Sequence, residues 1–215
     1  MRQKFNEELR NMSYEVIKTG SLCEKALRTA VTDMKNGDSD SFTHVDPLRE
    51  DISKNEKVIE ALCLKLLLEQ QPVAKDLRHI SSALKLIYDL DRIGILSSDI
   101  AEIIPFLNGK NGSECPYIQE AGETAIAMVS KAVDAYVKHD PEKAKEVIAM
   151  DDEEDALFRS AQKSLIAMIQ DKNNDGAYAL SLFMIAKYFE KIGDHAVNLA
   201  EWIVFSETGV HAGEH

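Results

Sequence analysis

Tyr188-Phe189-Glu190-Lys191-Ile192-Gly193-Asp194-His195-Ala196-Val197-Asn198-Leu199-Ala200-Glu201-Trp202-Ile203 decides the fold, because a degenerate copy of it occurs earlier. That copy is Asp91-Arg92-Ile93-Gly94-Ile95-Leu96-Ser97-Ser98-Asp99-Ile100-Ala101-Glu102-Ile103-Ile104. Ile93 pairs with Ile192 and Ile104 with Ile203, a constant offset of 99 residues. At that offset Gly94/Gly193, Ala101/Ala200 and Glu102/Glu201 are also identities, while Asp91/Glu190 and Arg92/Lys191 keep their charge. An offset near half of 215 residues implies two tandem copies of one unit.

The later copy lies on a helical stripe. Leu182, Ile185, Phe189, Ile192, Ala196, Leu199 and Ile203 advance by three and four alternately, the period of an apolar helix face. Phe5, Leu9, Met12 and Val16, then Leu22, Ala26, Ala30 and Met34, follow a less regular version. Breaks are few. Gly37 suits a helix C′ position, and Ser39 or Asp40 an N-cap. Gln70-Gln71-Pro72 forms the next break, Pro105 closes a helix, and Asn108 to Pro116 is the strongest loop. Asp140-Pro141 and Lys172 to Gly176 mark the remaining turns.

These signals predict six helices over 5–36, 40–70, 73–104, 117–139, 141–171 and 176–206. No segment alternates long enough to be a strand. The expected fold is all-α: a three-helix bundle over 1–107, a linker over 108–116, and a second three-helix bundle over 117–215 with a frayed tail. His211 and His215 fall in that tail. Pro47 sits inside the second helix, where a kink or a delayed start is expected. Gly94 and Gly193 fall mid-helix at a cost of ~1 kcal/mol each against Ala. Close helix approach beside the core stripe is the favoured compensation, and room for a ligand beside the adjacent carboxylates the secondary one.

Composition narrows the function. A formal charge of −12 argues against nucleic acid, which requires a basic face, and against direct docking on anionic lipid. The polar N-terminus and the absence of a long apolar run predict a cytoplasmic protein without membrane insertion. Cys23, Cys63 and Cys115 are far apart and show no zinc spacing, and Cys23 and Cys63 read as small core hydrophobes. No phosphate-cradling glycine loop, Gly-x-Ser-x-Gly or His-Glu-x-x-His is present.

The chemistry that remains is carboxylate. Glu190 and Asp194 are four apart on one helix face, and Asp151 and Asp155 are four apart on the preceding helix. If both pairs face one side, the repulsion among four carboxylates is relieved by a cation, and all-oxygen ligation selects Mg²⁺, Mn²⁺ or iron. The same spacing serves solvated pairs, Lys187/Glu190 and Lys191/Asp194, and from spacing alone that reading is the stronger. Asp151 and Asp155 are read as lying beyond the first helical turn, where dipole complementarity explains little. Asp76 and His79 carry one acid–His spacing of a di-metal site, and His195 is a lone histidine; one such match disfavours a ferritin-like oxidase.

Gln71-Pro72-Val73-Ala74-Lys75-Asp76-Leu77-Arg78, Leu90-Asp91-Arg92-Ile93-Gly94, and Phe189-Glu190-Lys191-Ile192-Gly193-Asp194 with Asn198-Leu199-Ala200-Glu201 carry a family resemblance. The chain resembles the PhoU family of phosphate-uptake regulators over nearly all of residues 1–206. The resemblance implies two similar three-helix bundles with acid-x-x-x-Asp metal motifs on paired helices, holding Fe, Mn, Mg or Zn. Carried over by position, Asp151, Asp155, Glu190 and Asp194 keep both motifs in the C-terminal bundle. In the N-terminal bundle Arg49, Ser53 and Ile95 replace motif acids, leaving Asp91, with Glu56 and Asp99 as nearby partial substitutes. A metal is therefore expected in the C-terminal bundle and a weak or absent site in the other.

The function implied is that of a non-enzymatic negative regulator of phosphate uptake and phosphate-starvation signalling. It would contact the ATPase of the phosphate ABC transporter and a sensor histidine kinase, sit peripheral to the inner membrane through them, and form a homodimer. The alternatives are a carboxylate-metal enzyme or storage bundle, and a purely structural helical adaptor.

Overall fold

The structure, a computed structural model, describes residues 2–69, 72–171 and 173–212. Gln70 and Gln71 of the second break, Lys172 of the last turn, and His215 lie outside the described residues. Seven α-helices follow in order: α1 (Arg2–Asn36), α2 (Ser41–Glu69), α3 (Ala74–Ile103), α4 (Pro116–Lys138), α5 (Pro141–Ala149), α6 (Asp151–Gln170) and α7 (Gly176–Thr208). A 3-10 turn, Ile104–Leu107, follows α3, and the described residues contain no strand. Helices α1, α2 and α3 pack together, as do α4, α5, α6 and α7. The two groups join along α3 against α7 and α1 against α4.

Local chemistry accounts for most helix ends. Asp140 accepts from the backbone N–H groups of Glu142 and Lys143 at the start of α5, and Asp175 accepts from those of Ala177 and Tyr178 at the start of α7. At the end of α1, Gly37 N–H bonds to Met34 O at 3.1 Å and Asp38 N–H to Asp33 O at 2.9 Å, the paired bonds of a Schellman motif. Gly37 has φ +66°, and an added Cβ there would lie 2.6 Å from the carbonyl oxygen of Gly109. A side chain in this left-handed conformation costs about 1–2 kcal/mol, and the contact is with backbone that cannot rotate away. Gly37→Ala is therefore expected to destabilise the chain by about 2–3 kcal/mol in urea unfolding; a change within about 0.5 kcal/mol would refute this account of the turn.

The predicted stripe on α7 is buried in full, from Leu182 through Phe189 to Ile203. Burying each large side chain is worth about 1.5–3 kcal/mol, so the stripe outweighs the ~1 kcal/mol cost of Gly193. Cys23, Cys63 and Cys115 are all free and buried, and burial pushes the Cys63 thiol up to about 12, as for an inert core residue.

Four expectations require correction. The predicted helix over 141–171 is two helices meeting at Met150. There the Met150 N–H bonds to Val147 O at 3.0 Å, tightening the last turn of α5, and its carbonyl accepts from Glu153 and Glu154 to begin α6. Asp151, Asp152, Glu153 and Glu154 thus form the first turn of α6 rather than lying beyond a first turn, and they complement its dipole. The start of α2 is not delayed by Pro47, since helix runs from Ser41 through the proline. Nor is His211 frayed: its ring stacks on Phe205, with centroids 4.2 Å apart.

Candidate functional site: a carboxylate cluster between α6 and α7

The new start of α6 sets Glu154 against the middle of α7. Glu154 is only 1% exposed, and neither of its carboxylate oxygens has a hydrogen-bond partner. It lies against Gly193, where an added Cβ would stand 3.1 Å from Glu154 Cγ. The mid-helix glycine therefore lets side chains of neighbouring helices, Glu154 of α6 and Met128 of α4, approach α7 closely, in line with the favoured reading of its role. Burial, and then the charge of Glu190, pushes the Glu154 carboxyl up to about 8, with Glu153, Asp151 and Asp155 adding to it. Glu190 Oε2 is likewise buried without a hydrogen bond, although Lys191 Nζ stands 3.5 Å from it.

The other predicted ligands lie in the neighbourhood of this pair. Burial raises the Asp151 carboxyl, and the charges of Asp155, Asp194, Asp152 and Glu190 raise it further, so Asp151 lies within electrostatic reach of each of them. Three of the four predicted ligands are paired with cations. Lys187 Nζ lies 2.7 Å from Glu190 Oε1, Arg159 Nη1 lies 2.8 Å from Asp155 Oδ2, and Lys191 bonds to Asp194. Both Lys–acid pairs expected from spacing thus form. Among the described residues these acids do not bring three ligand atoms within 4.8 Å of one another; Asp33, Asp38 and His44 at the α1–α2 turn do so. In that group His44 Nδ1 pairs with Asp33 Oδ2 at 3.1 Å.

In the N-terminal bundle the corresponding position is neutralised. An added Cβ at Gly94 would meet Ile52 Cδ1 at 2.9 Å, as one at Gly193 would meet Glu154. Ile52 thus stands where Glu154 stands in the other repeat. The Ser53 hydroxyl donates to Asp91, and Arg49 Nε donates to Asp46 at 2.8 Å. Burial, then Asp91, raises the Glu56 carboxyl, so Glu56 and Asp91 share a neighbourhood. The Asp99 carboxyl is raised by burial and then by Glu102, and Tyr188 of α7 is raised by burial, Asp99 and Glu102. The structure does not gather Glu56, Asp91 and Asp99 into one set.

The histidines have structural partners. Asp76 accepts from Arg2 and from the Val73 backbone N–H, whereas His79 Nε2 lies 4.0 Å from Glu207, so the pair does not converge on one point. His195 Nδ1 lies 2.8 Å from Asp89 Oδ1, and Asn198 Nδ2 donates to the same oxygen at 3.2 Å.

Sequence reasoning missed Glu154 and Asp89. The signal for Glu154 was present: the positional match of Arg49 with Asp151 and Ser53 with Asp155 sets Ile52 against Glu154. An apolar residue at one copy of a core position warns that the acid at the other copy is buried.

Comparison with known proteins agrees with this duplicated geometry. The PhoU domain family model matches residues 16–104 and 118–203, once in each bundle. A phosphate-specific transport system accessory protein PhoU homologue of Clostridium acetobutylicum is 32% identical over 211 residues, covering 97% of this chain and 96% of that protein. One from Pseudomonas putida is 31% identical over 209 residues, covering 96% of this chain and 82% of that protein. The crystal structure of PhoU from Pseudomonas aeruginosa superposes with a TM-score of 0.91 at 29% identity, covering 96% of this chain and 100% of that one.

Proposed function

Because the chain belongs to the PhoU family, whose domain it carries twice, we propose that it is a cytoplasmic negative regulator of phosphate uptake and phosphate-starvation signalling. Members of the family are accessory regulatory proteins, so the chain is not an enzyme, and it serves phosphate transport in an accessory role. In our reading it acts by contact with the ATPase of the phosphate ABC transporter and with a sensor histidine kinase, as a homodimer peripheral to the inner membrane. The near full-length match to accessory proteins of the transport system is the observation that carries the reading. No helix among the described residues is long and apolar enough to cross a membrane, which is compatible with attachment through partners. Near the α6–α7 turn, Ile166, Ile169, Leu180 and Met184 are exposed, and such apolar side chains suit docking of another protein.

The test is co-purification of the tagged full-length chain with the transporter ATPase from cells grown at high and low phosphate. The expected result is retention of the ATPase at high phosphate and weaker retention under starvation. No retention in either condition would sink the reading.

We also propose that Asp151, Asp155, Glu190 and Asp194 hold a divalent or trivalent cation, one of Fe, Mn, Mg or Zn. The chemistry of the donor set fits: all four are oxygen ligands, Asp151 lies within electrostatic reach of the other three, and Glu190 Oε2 is buried and lacks a hydrogen bond. The bound ion would offset the carboxylate repulsion and brace α6 against α7. Glu190→Ala together with Asp194→Ala is expected to abolish bound metal as read by elemental analysis of the purified chain. An unchanged metal content would refute the site.

A further inference from the structure

We propose that Glu154 is an additional, inner ligand of the C-terminal metal site, lying outside the acid-x-x-x-Asp spacing and supplied by this chain's own sequence. The inference rests on the metal reading above and deepens it. Its first support is the state of the side chain. Both Glu154 oxygens are buried and lack a hydrogen bond, in a residue that is 1% exposed. A buried carboxylate without partners is among the most costly groups a protein interior can contain, and native interiors seldom leave one so. Its second support is position. Glu154 packs against Gly193, one residue before Asp194 and three after Glu190, so it lies on the stretch of α7 that carries the paired acids.

Its third support comes from the repeat. Where the N-terminal bundle lacks motif acids and carries Arg49, Ser53 and Ile95, the equivalent of Glu154 is Ile52, fully buried against Gly94. A carboxylate thus occupies this core position in the bundle that keeps the motif, and an alkyl group in the bundle that has lost it. Asp151, Asp155, Glu190 and Asp194 find cations or solvent through Lys187, Lys191, Arg159 and partial exposure. Glu154 has none of these, so a bound ion is the partner its two oxygens lack. Five carboxylates would favour a hard, highly charged ion over one preferring thiolate or imidazole.

The experiment uses the full-length chain stripped with chelator and titrated with Mn²⁺ alone by calorimetry, with bound metal checked by elemental analysis. Four proteins are compared: the parent, Glu154→Ile, Glu154→Gln, and the Glu190→Ala, Asp194→Ala double variant. The expected order of affinity is parent, then Gln, then Ile, with Glu154→Ile at least tenfold weaker than the parent while its far-UV circular dichroism is unchanged. Ile52 against Gly94 shows that isoleucine fits this environment, and the near-isosteric Gln variant carries the test should Ile disturb the helix. Binding by Glu154→Ile as tight as the parent's, with the double variant inactive, would overturn the role of Glu154 and leave the motif reading standing. A parent chain that takes up no Mn²⁺ would overturn both.

Discussion

In chelator at pH 8, Glu154→Ile is expected to be more stable than the parent chain by about 2–3 kcal/mol, which for a chain of this size raises Tm by about 5–10 °C. The parent must keep a carboxylate 1% exposed with two unpartnered oxygens, whereas the variant places there the residue that fills the matching position of the other bundle. The effect should depend on pH in a definite sense. Glu154 has a carboxyl raised from 4.5 to about 8, so between those values the folded chain holds a proton that the unfolded chain releases. Stability from this group is greatest below the unfolded value, declines as pH rises toward 8, and levels off beyond it. The parent's chelated Tm should therefore fall from pH 5 to pH 8 more steeply than that of Glu154→Ile, and the two should converge toward pH 5. Parallel melting profiles across that range would show that the carboxylate is not buried as described.

The second large effect is expected at the joint between the bundles. Asp89 on α3 is 4% exposed and meets His195 and Asn198 of α7 through one oxygen. Asp89→Ala removes the acceptor shared by the half-buried His195 and the exposed Asn198, so that water can replace it at Asn198 while His195 loses its partner. Loss of this buried, charged acceptor costs about 1.5–3 kcal/mol, most of it at the half-buried His195. Asp89→Asn keeps an acceptor and should cost about half as much. Urea unfolding measures both, and in a double-mutant cycle Asp89→Ala and Asn198→Ala should couple by at least about 0.5 kcal/mol. Additive effects would mean that the joint is held by apolar packing alone.

Much of the helical framework was legible in the residues because helix ends are written locally. Gly37, Asp140-Pro141 and Asp175 act on backbone groups within a few positions, so their reading carried over to the structure. Met150 was harder, since no glycine or proline marks the break. Yet Asp151-Asp152-Glu153-Glu154 is itself the acidic signature of a first turn, and taking it as such would have placed the start of α6. The outer carboxylates were found by spacing, and so were the lysines that pair with two of them, because both relations lie within a single turn of helix.

The duplication, the apolar stripes and the asymmetry of motif acids between the two halves are written in the residues alone, because all are periodic or positional properties of one chain. The packing of the helices, by contrast, sets Gly193 against Glu154 as it sets Gly94 against Ile52, and brings Asp89 across to His195. The physical reason is that burial and partnership belong to pairs of helices. Spacing states which side chains share a face, but the crossing of α6 on α7 selects which of them loses its water.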